Sequence, residues 1–329
     1  MIFPLRKPDG GWRPALPMAL VLAIAAAGLL TANLVDRYQQ NVLTTMLCYV
    51  GLAQAWNLLA GYGGLISLGV SAFVGSGAYA VALLMIHTGQ PIWVALLAAL
   101  VIGAVGAVLL SVPLLRLRGD YFTIGTLAAA LALQAWAFNW DLAGGSIGLS
   151  VPIATSPSLR STYLLAWVVG GVVMLVTVWV AYSTFGMRLR AMRDNEAAAA
   201  GLGVSTYRYQ LTAFVLCGSL SGLVGGLIAF QQISFEPAAM LGLGWSINAL
   251  LMAVVGGIGT VVGPVVGTVV VYYLLTRLLA SYDAVSLIVE GVLLVVIIRF
   301  APEGLWPVAL RSAQGLRRRT LGRRRGAGA

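Results

Sequence analysis

Few side chains in this sequence could do covalent or metal chemistry. It holds one lysine, Lys7, and one histidine, His87. A phosphate-cradling loop of the G-x-x-x-x-G-K-[ST] kind needs glycines ahead of its lysine, and none precedes Lys7. Nucleotide binding of that kind is excluded from this chain. A lone histidine rules out a His-based triad, and at the end of an apolar run it reads as an interfacial residue. Cys48 and Cys217 lie within apolar runs without metal-ligand spacing. They read as small core residues, not as ligands or a disulfide framework. No metal and no cofactor is expected here.

What remains is one polar stretch and a few polar residues scattered through apolar sequence. The stretch, 184–209, contains Phe185-Gly-Met-Arg-Leu-Arg-Ala-Met-Arg-Asp-Asn-Glu-Ala-Ala-Ala-Ala-Gly-Leu-Gly203. Alanine and long unbranched side chains favour helix. Asp194 and Glu196 stand among Arg188, Arg190 and Arg193, and Gly201 and Gly203 close the run, as glycine often does just past a helix. These residues predict a short helix lying across a membrane face, open to a soluble partner or to water alone.

Asn57, Ser67, Ser71, Ser76 and Asn248 lie within or beside two glycine clusters, Gly61–Gly77 and Gly256–Gly267. Both clusters sit where a span turns back. Interrupted helices at matching places point to a translocation path, which Gly256 and Gly257 would then help to shape. Tight packing and helix–helix hydrogen bonding are the alternative. Glu290 is the carboxylate set well inside an apolar run. A charge there costs ~2.5 kcal/mol or more unless hydrated or paired, so it faces such a path or pairs with Arg277.

The elements that must hold these residues follow from composition. Of 329 residues, 60% are hydrophobic and only 9% charged, against about 25% charged in a soluble domain. The excess apolar surface is spread along the whole chain, so one all-α membrane domain is expected. A span needs ~20 apolar residues. Ten candidates emerge: 16–34, 41–60, 65–87, 92–114, 121–141, 162–183, 210–231, 244–260, 263–281 and 284–300. The pair 244–260 and 263–281 could instead be one broken helix plus a re-entrant piece. The first run reads as an uncleaved span, not a signal peptide. Residues 15–300 then form the membrane region, 184–209 a cytoplasmic loop, and 301–329 a basic cytoplasmic tail.

Charge sets the orientation. With the N-terminus inside, ten spans return the C-terminus inside, and 17 of the 20 basic residues fall on the cytoplasmic side, leaving Arg37, Arg160 and Arg277 outside. The net charge of +10 is concentrated in the tail, where seven arginines follow position 310. A juxtamembrane basic tail predicts anionic lipid as its partner, not nucleic acid.

Against this background the polar stretch gains meaning. The Glu196-Ala-Ala-x-x-Gly201 pattern resembles the EAA motif of ABC importer permeases, and the longer run from Gly186 resembles the version in branched-chain amino acid permeases of the LivM type. Four further stretches agree in order. Leu115-Arg-Leu-Arg-Gly-Asp-Tyr-Phe122 is similar to the family's R-G-x-Y-F/L. Leu142-Ala-Gly-Gly-Ser-Ile-Gly-Leu149 is similar to its outer T-G-G-x-x-G-L, with Ala143 in place of threonine. Ser246 to Pro264 is similar to S-I-x-x-L-x-M-x-x-x-G-G-x-G-[ST]-x-x-G-P, and Pro302-Glu-Gly-Leu305 to its closing P-x-G-L. Together they cover residues from about 50 to 305.

The resemblance implies that 184–209 carries a coupling helix which docks on an ATPase subunit, through Arg190, Arg193, Asp194, Glu196, Ala197, Ala198, Gly201 and Gly203. It implies two ATP-binding subunits that hold ATP and magnesium, a second permease subunit, a periplasmic binding protein and a bacterial inner membrane. The chain itself would be a permease and not an enzyme. Asn248 departs from the glutamate common at that position, so the implied cargo, branched-chain amino acids, competes with urea, short amides or another small polar solute. A secondary transporter would need intramembrane carboxylates for ion coupling, and only Glu290 qualifies. A membrane enzyme would need a catalytic set that one histidine and one lysine do not supply.

Overall fold

A backbone without water around it must satisfy its own N–H and C=O groups, and helices do so segment by segment. The computed structural model describes residues 15–152 and 156–273, together with 291–292, 295, 299, 304–308 and 311. In chain order the helices are α1 (Ala15–Leu30), α2 (Arg37–Asn57), α3 (Val70–Thr88), α4 (Ile92–Leu114), α5 (Asp120–Phe138), α6 (Leu159–Tyr182), α7 (Thr184–Asp194), α8 (Glu196–Gly201), α9 (Thr206–Gln232), α10 (Pro237–Met240), α11 (Gly244–Gly256) and α12 (Gly263–Tyr273). α2 runs on into a π turn, Leu58–Tyr62. Among the described residues the strands are β1 (Leu149–Ser150) and β2 (Ser234–Phe235), antiparallel, with Leu149 opposite Phe235 and Ser150 opposite Ser234.

Seven helical stretches are long and apolar enough to cross a bilayer: α2 with its π turn, α3, α4, α5, α6, α9, and α10 with α11. α1 from Pro17 to Leu30 and α12 are apolar but shorter. These nine fall on nine of the ten expected spans. The tenth, 284–300, lies outside the described residues as a span, and so do Glu290, Arg277 and residues 312–329 of the tail.

Two regions differ from the sequence reading. The stretch 184–209 forms two helices, because Asn195 adopts extended backbone (φ −159°, ψ 103°) between α7 and α8. Its carboxamide Oδ1 accepts from the Ala198 amide at 3.0 Å and so caps α8. The link 232–243 between two of the expected spans contains β2 and α10, the latter opening on Pro237, where proline's fixed φ suits a first helical turn.

α9 is the axis of the bundle and packs backbone to backbone. A Cβ added at Gly225 would stand 2.0 Å from the Val74 carbonyl oxygen, and one at Gly77 2.0 Å from that of Gly222. One at Gly103 would stand 2.4 Å from the Gly218 carbonyl oxygen. Small residues are what allow such contact where lipid gives no hydrophobic drive between helices. Phe214 of α9 then fills the space between Phe73 of α3 and Phe122 of α5, edge-on to each, with ring centroids 5.5 and 5.9 Å away. α4 and α5 are the least buried of the long helices and present apolar faces outward.

The chain path separates two ends. β1 precedes α6 and β2 follows α9, so the strand pair lies at one end. α7 and α8 join the far end of α6 to the start of α9, so they lie at the other.

Candidate functional site

The site is built at the α7–α8 end, from three pieces distant in sequence. The first is α7. Ser183 caps it, its Oγ accepting from the Gly186 amide at 3.2 Å. The corner behind is tight: a Cβ on Gly186 would come within 1.9 Å of the Val180 carbonyl oxygen. Leu189 and Met192 are buried and pin α7 to the bundle. Arg190 donates to the Ala181 carbonyl and lies over the Tyr62 ring, 5.2 Å from its centroid. Arg188 does the same with Tyr209, donating to its hydroxyl and lying over its ring.

The second piece is the broken end of α2. The Leu59 and Ala60 carbonyls still accept from the Gly63 and Gly64 amides, and this end carries the negative end of the helix dipole. Arg193 answers this: Nη1 donates to the Gly61 carbonyl at 2.6 Å, while Nη2 stands 3.3 Å from Asp194 Oδ1. A cation capping a helix C-terminus is favoured twice, by charge and by hydrogen bond. The approach requires glycine at position 64. That residue has φ +74°, and a Cβ there would lie 2.7 Å from Arg193 Cγ.

The third piece is the turn between α11 and α12. The two helices pack antiparallel over the described residues, with Gly256 against Gly263 and Gly267 against Met252. Gly257 (φ 125°) and Gly259 (φ 76°) take backbone conformations that side chains resist. Thr260 Oγ1 donates to the Gly257 carbonyl at 2.8 Å and accepts from the Gly263 amide at 3.0 Å. The hairpin closes tightly, since a Cβ on Gly256 would stand 1.8 Å from the Gly263 carbonyl oxygen. Gly304 packs against the same turn: a Cβ on it would meet Gly257 Cα at 2.3 Å. This gives Gly304 of the closing motif a structural task.

Asn57 ties the second piece to the third. Fully buried, it accepts from the Gly259 amide at 2.7 Å through Oδ1 and donates to the Thr260 carbonyl at 2.9 Å through Nδ2. Gln54, one turn earlier, donates to the Val261 carbonyl at 2.6 Å. A Cβ on Gly259 would stand 3.0 Å from Arg193 Nη1. Arg193, the end of α2 and the glycine turn therefore form one knot.

The other expected residues have separate places. Glu196 opens α8, where its charge complements the dipole, and Gln210 Nε2 approaches its carboxylate at 3.5 Å. Ala197, Ala198, Gly201 and Gly203 are exposed, beside Leu202 at 86% exposure. That is an apolar, small-residue surface facing out of the chain. Ser67 Oγ accepts from the Gly69 amide, and its carbonyl receives Trp56 Nε1 at 2.8 Å. The Ser71 amide donates to Ser246 Oγ at 2.8 Å, tying α3 to α11. Ser76 donates to the Phe73 carbonyl and lines a cavity at the strand end. Asn248 is half-buried on α11. The structure thus brings Asn57, Arg193, Gly256 and Gly257 together, and places Ser67, Ser71, Ser76 and Asn248 elsewhere. Gln54, Tyr62 and Ser246 were not anticipated. A second polar residue one turn before Asn57 was the available signal. Among the described residues no three His, Cys, Asp or Glu side chains cluster as metal ligands.

α8 exposes a surface, α7 is latched to the bundle by three arginines, and one latch ends on the glycine turn. Residues 38–298 match the family model of the branched-chain amino acid transport system / permease component. The chain belongs to this family. It is 28% identical over 319 residues to the high-affinity branched-chain amino acid transport system permease protein LivM of Salmonella typhimurium, covering 88% of this chain and 73% of that one. A probable branched-chain amino acid transport permease LivM of Methanocaldococcus jannaschii is 26% identical, with 65% of this chain and 67% of the relative covered. The autoinducer 2 import system permease LsrC of Salmonella typhi is 29% identical over 203 residues, covering 59% of this chain and 56% of that one. The family thus spans permeases named for different cargo, and this chain is a multi-pass membrane permease.

Proposed function

We propose that this chain is a permease subunit of an ABC importer that carries branched-chain amino acids into the cytoplasm, driven by ATP hydrolysed on separate subunits. Two ATP-binding subunits hold ATP and magnesium, a second permease completes the path, and a periplasmic binding protein delivers cargo. The α7–α8 end faces the cytoplasm of a bacterium through its inner membrane, and the basic tail lies on anionic lipid. The observation that carries this reading is the latch. α8 offers Ala197, Ala198, Gly201 and Leu202 outward, while α7 holds the Gly61 carbonyl beside the glycine turn through Arg193.

Coupling needs only that α8 dock differently in the two states of the ATPase. That differential contact biases the bundle, and each ~1.4 kcal/mol of bias changes the population ratio tenfold. α7 is short and pinned by Leu189 and Met192, so it moves as a unit with the end of α2 and the turn. The test is co-purification: affinity-tagged permease, co-expressed with the neighbouring transporter genes, retains an ATP-binding subunit, and Glu196→Arg releases it at equal permease yield. Retention by the variant as by the wild type would remove α8 from the interface.

The relatedness to LsrC and the asparagine at position 248 favour a second reading of cargo. In it the same machine moves urea, a short amide or another small polar solute.

A further inference from the structure

At the strand end, α3 and α5 part and leave a cavity of ≈240 Å³. At ~30 Å³ each it has the volume of about eight waters. One face of α3 lines it (Ser76, Tyr79, Ala80, Leu83), opposite one face of α5 that includes Trp136 and Ala137. Among the described residues no charged side chain lines it, and such apolar walls favour an apolar occupant.

One polar group is out of keeping. Tyr79 is only 5% exposed, and its hydroxyl has no hydrogen-bond partner. A buried phenol without a partner is costly, and a ligand group at this position would satisfy it. A charge follows the ring that packs on Tyr79. Phe235 sets its ring edge-on to that of Tyr79 at 5.4 Å, and the next residue, Glu236, is exposed with no ion pair among the described residues. Glu236 precedes α10 without its side chain capping it.

We propose that this cavity is the pocket for the side chain of an aliphatic amino acid in transit, with the Tyr79 hydroxyl donating to the substrate carboxylate and Glu236 receiving its ammonium. The proposal rests on the permease reading and adds where selectivity for an apolar side chain resides. Burial favours the aliphatic part, and one methylene too many or too few in such a pocket changes recognition about tenfold or more. The two charges stay at the rim, since the apolar walls cannot hold them unpaired. The competing occupant is a lipid acyl chain, because Ile102 and Trp136 in the lining are 43% and 53% exposed on the outward faces of α4 and α5.

The experiment uses the assembled transporter in proteoliposomes, with a diazirine analogue of leucine and, separately, a phospholipid carrying a diazirine on its acyl chain. After irradiation, modified peptides are mapped by mass spectrometry. The leucine analogue is expected to mark the α3 and α5 faces, to be displaced by excess leucine, and to lose about tenfold in marking in Tyr79→Phe and in Glu236→Gln. Glu236 is exposed, so its variant tests the rim even if Tyr79→Phe disturbs packing. Analogue taken up without marking these faces, or marking confined to the acyl probe, overturns the pocket and leaves the permease standing. An analogue that is not taken up at all overturns both.

Discussion

Asn57, itself fully buried, satisfies a half-buried amide and carbonyl of a turn some 200 residues away. Asn57→Ala leaves both without their partner, at about 1 kcal/mol or more for each. The expected result is a thermal midpoint in detergent lowered by several degrees, with Asn57→Asp no better because it lacks the donor. Arg193 is different, since its side chain is 37% exposed and its contribution to stability is small. Arg193→Ala should leave folding and ATP hydrolysis near wild type yet lower uptake about tenfold, and Arg193→Lys should recover part of it. Equal loss of hydrolysis and uptake would make Arg193 a docking residue and not a latch. Sequence order named Asn57 and Arg193 as candidates, but as a path-lining residue and a docking residue. That they meet at one turn was hidden, because contact across 130 to 200 residues leaves no local pattern.

At the scale of elements, the hairpin and α8 use glycine in opposite ways. A Cβ on Gly267 would stand 1.9 Å from the Met252 carbonyl oxygen, whereas one on Gly201 meets nothing within 4 Å. Gly267→Val should force α11 and α12 apart and destabilise the permease by about 1–3 kcal/mol or more. Gly201→Leu should leave its melting temperature within about a degree but abolish stimulated ATP hydrolysis, because the clash occurs only against a docked partner. A full response from Gly201→Leu would contradict docking at α8. The apolar runs made the spans legible, because ~20 residues of hydrocarbon-facing helix leave a plain signal. The division of 184–209 into two helices was not legible, since it turns on one asparagine adopting extended backbone. Nor was the cavity, which arises from two helical faces that diverge.

For the whole molecule, the chain path places α8 and the β1 end apart, and the distribution of arginines predicts α8 inside and the β1 end outside. Cys48 and Cys217 are both buried, so single introduced cysteines report without background. Gly201→Cys should react with a membrane-impermeant maleimide only in inverted vesicles. Ile147→Cys, at a residue 90% exposed near β1, should react only in right-side-out cells. Labelling of both from one side would overturn the topology.

The most direct test is ATP-dependent uptake of radiolabelled leucine into proteoliposomes holding this chain, its partner transporter subunits and the binding protein. The expected result is uptake that isoleucine and valine compete away, that urea and acetamide do not, and that Glu196→Arg abolishes without loss of the assembled protein. Absence of leucine uptake, with ATP hydrolysis stimulated by urea or an amide, would contradict the assigned cargo. Leucine uptake that persists in Glu196→Arg would contradict the coupling.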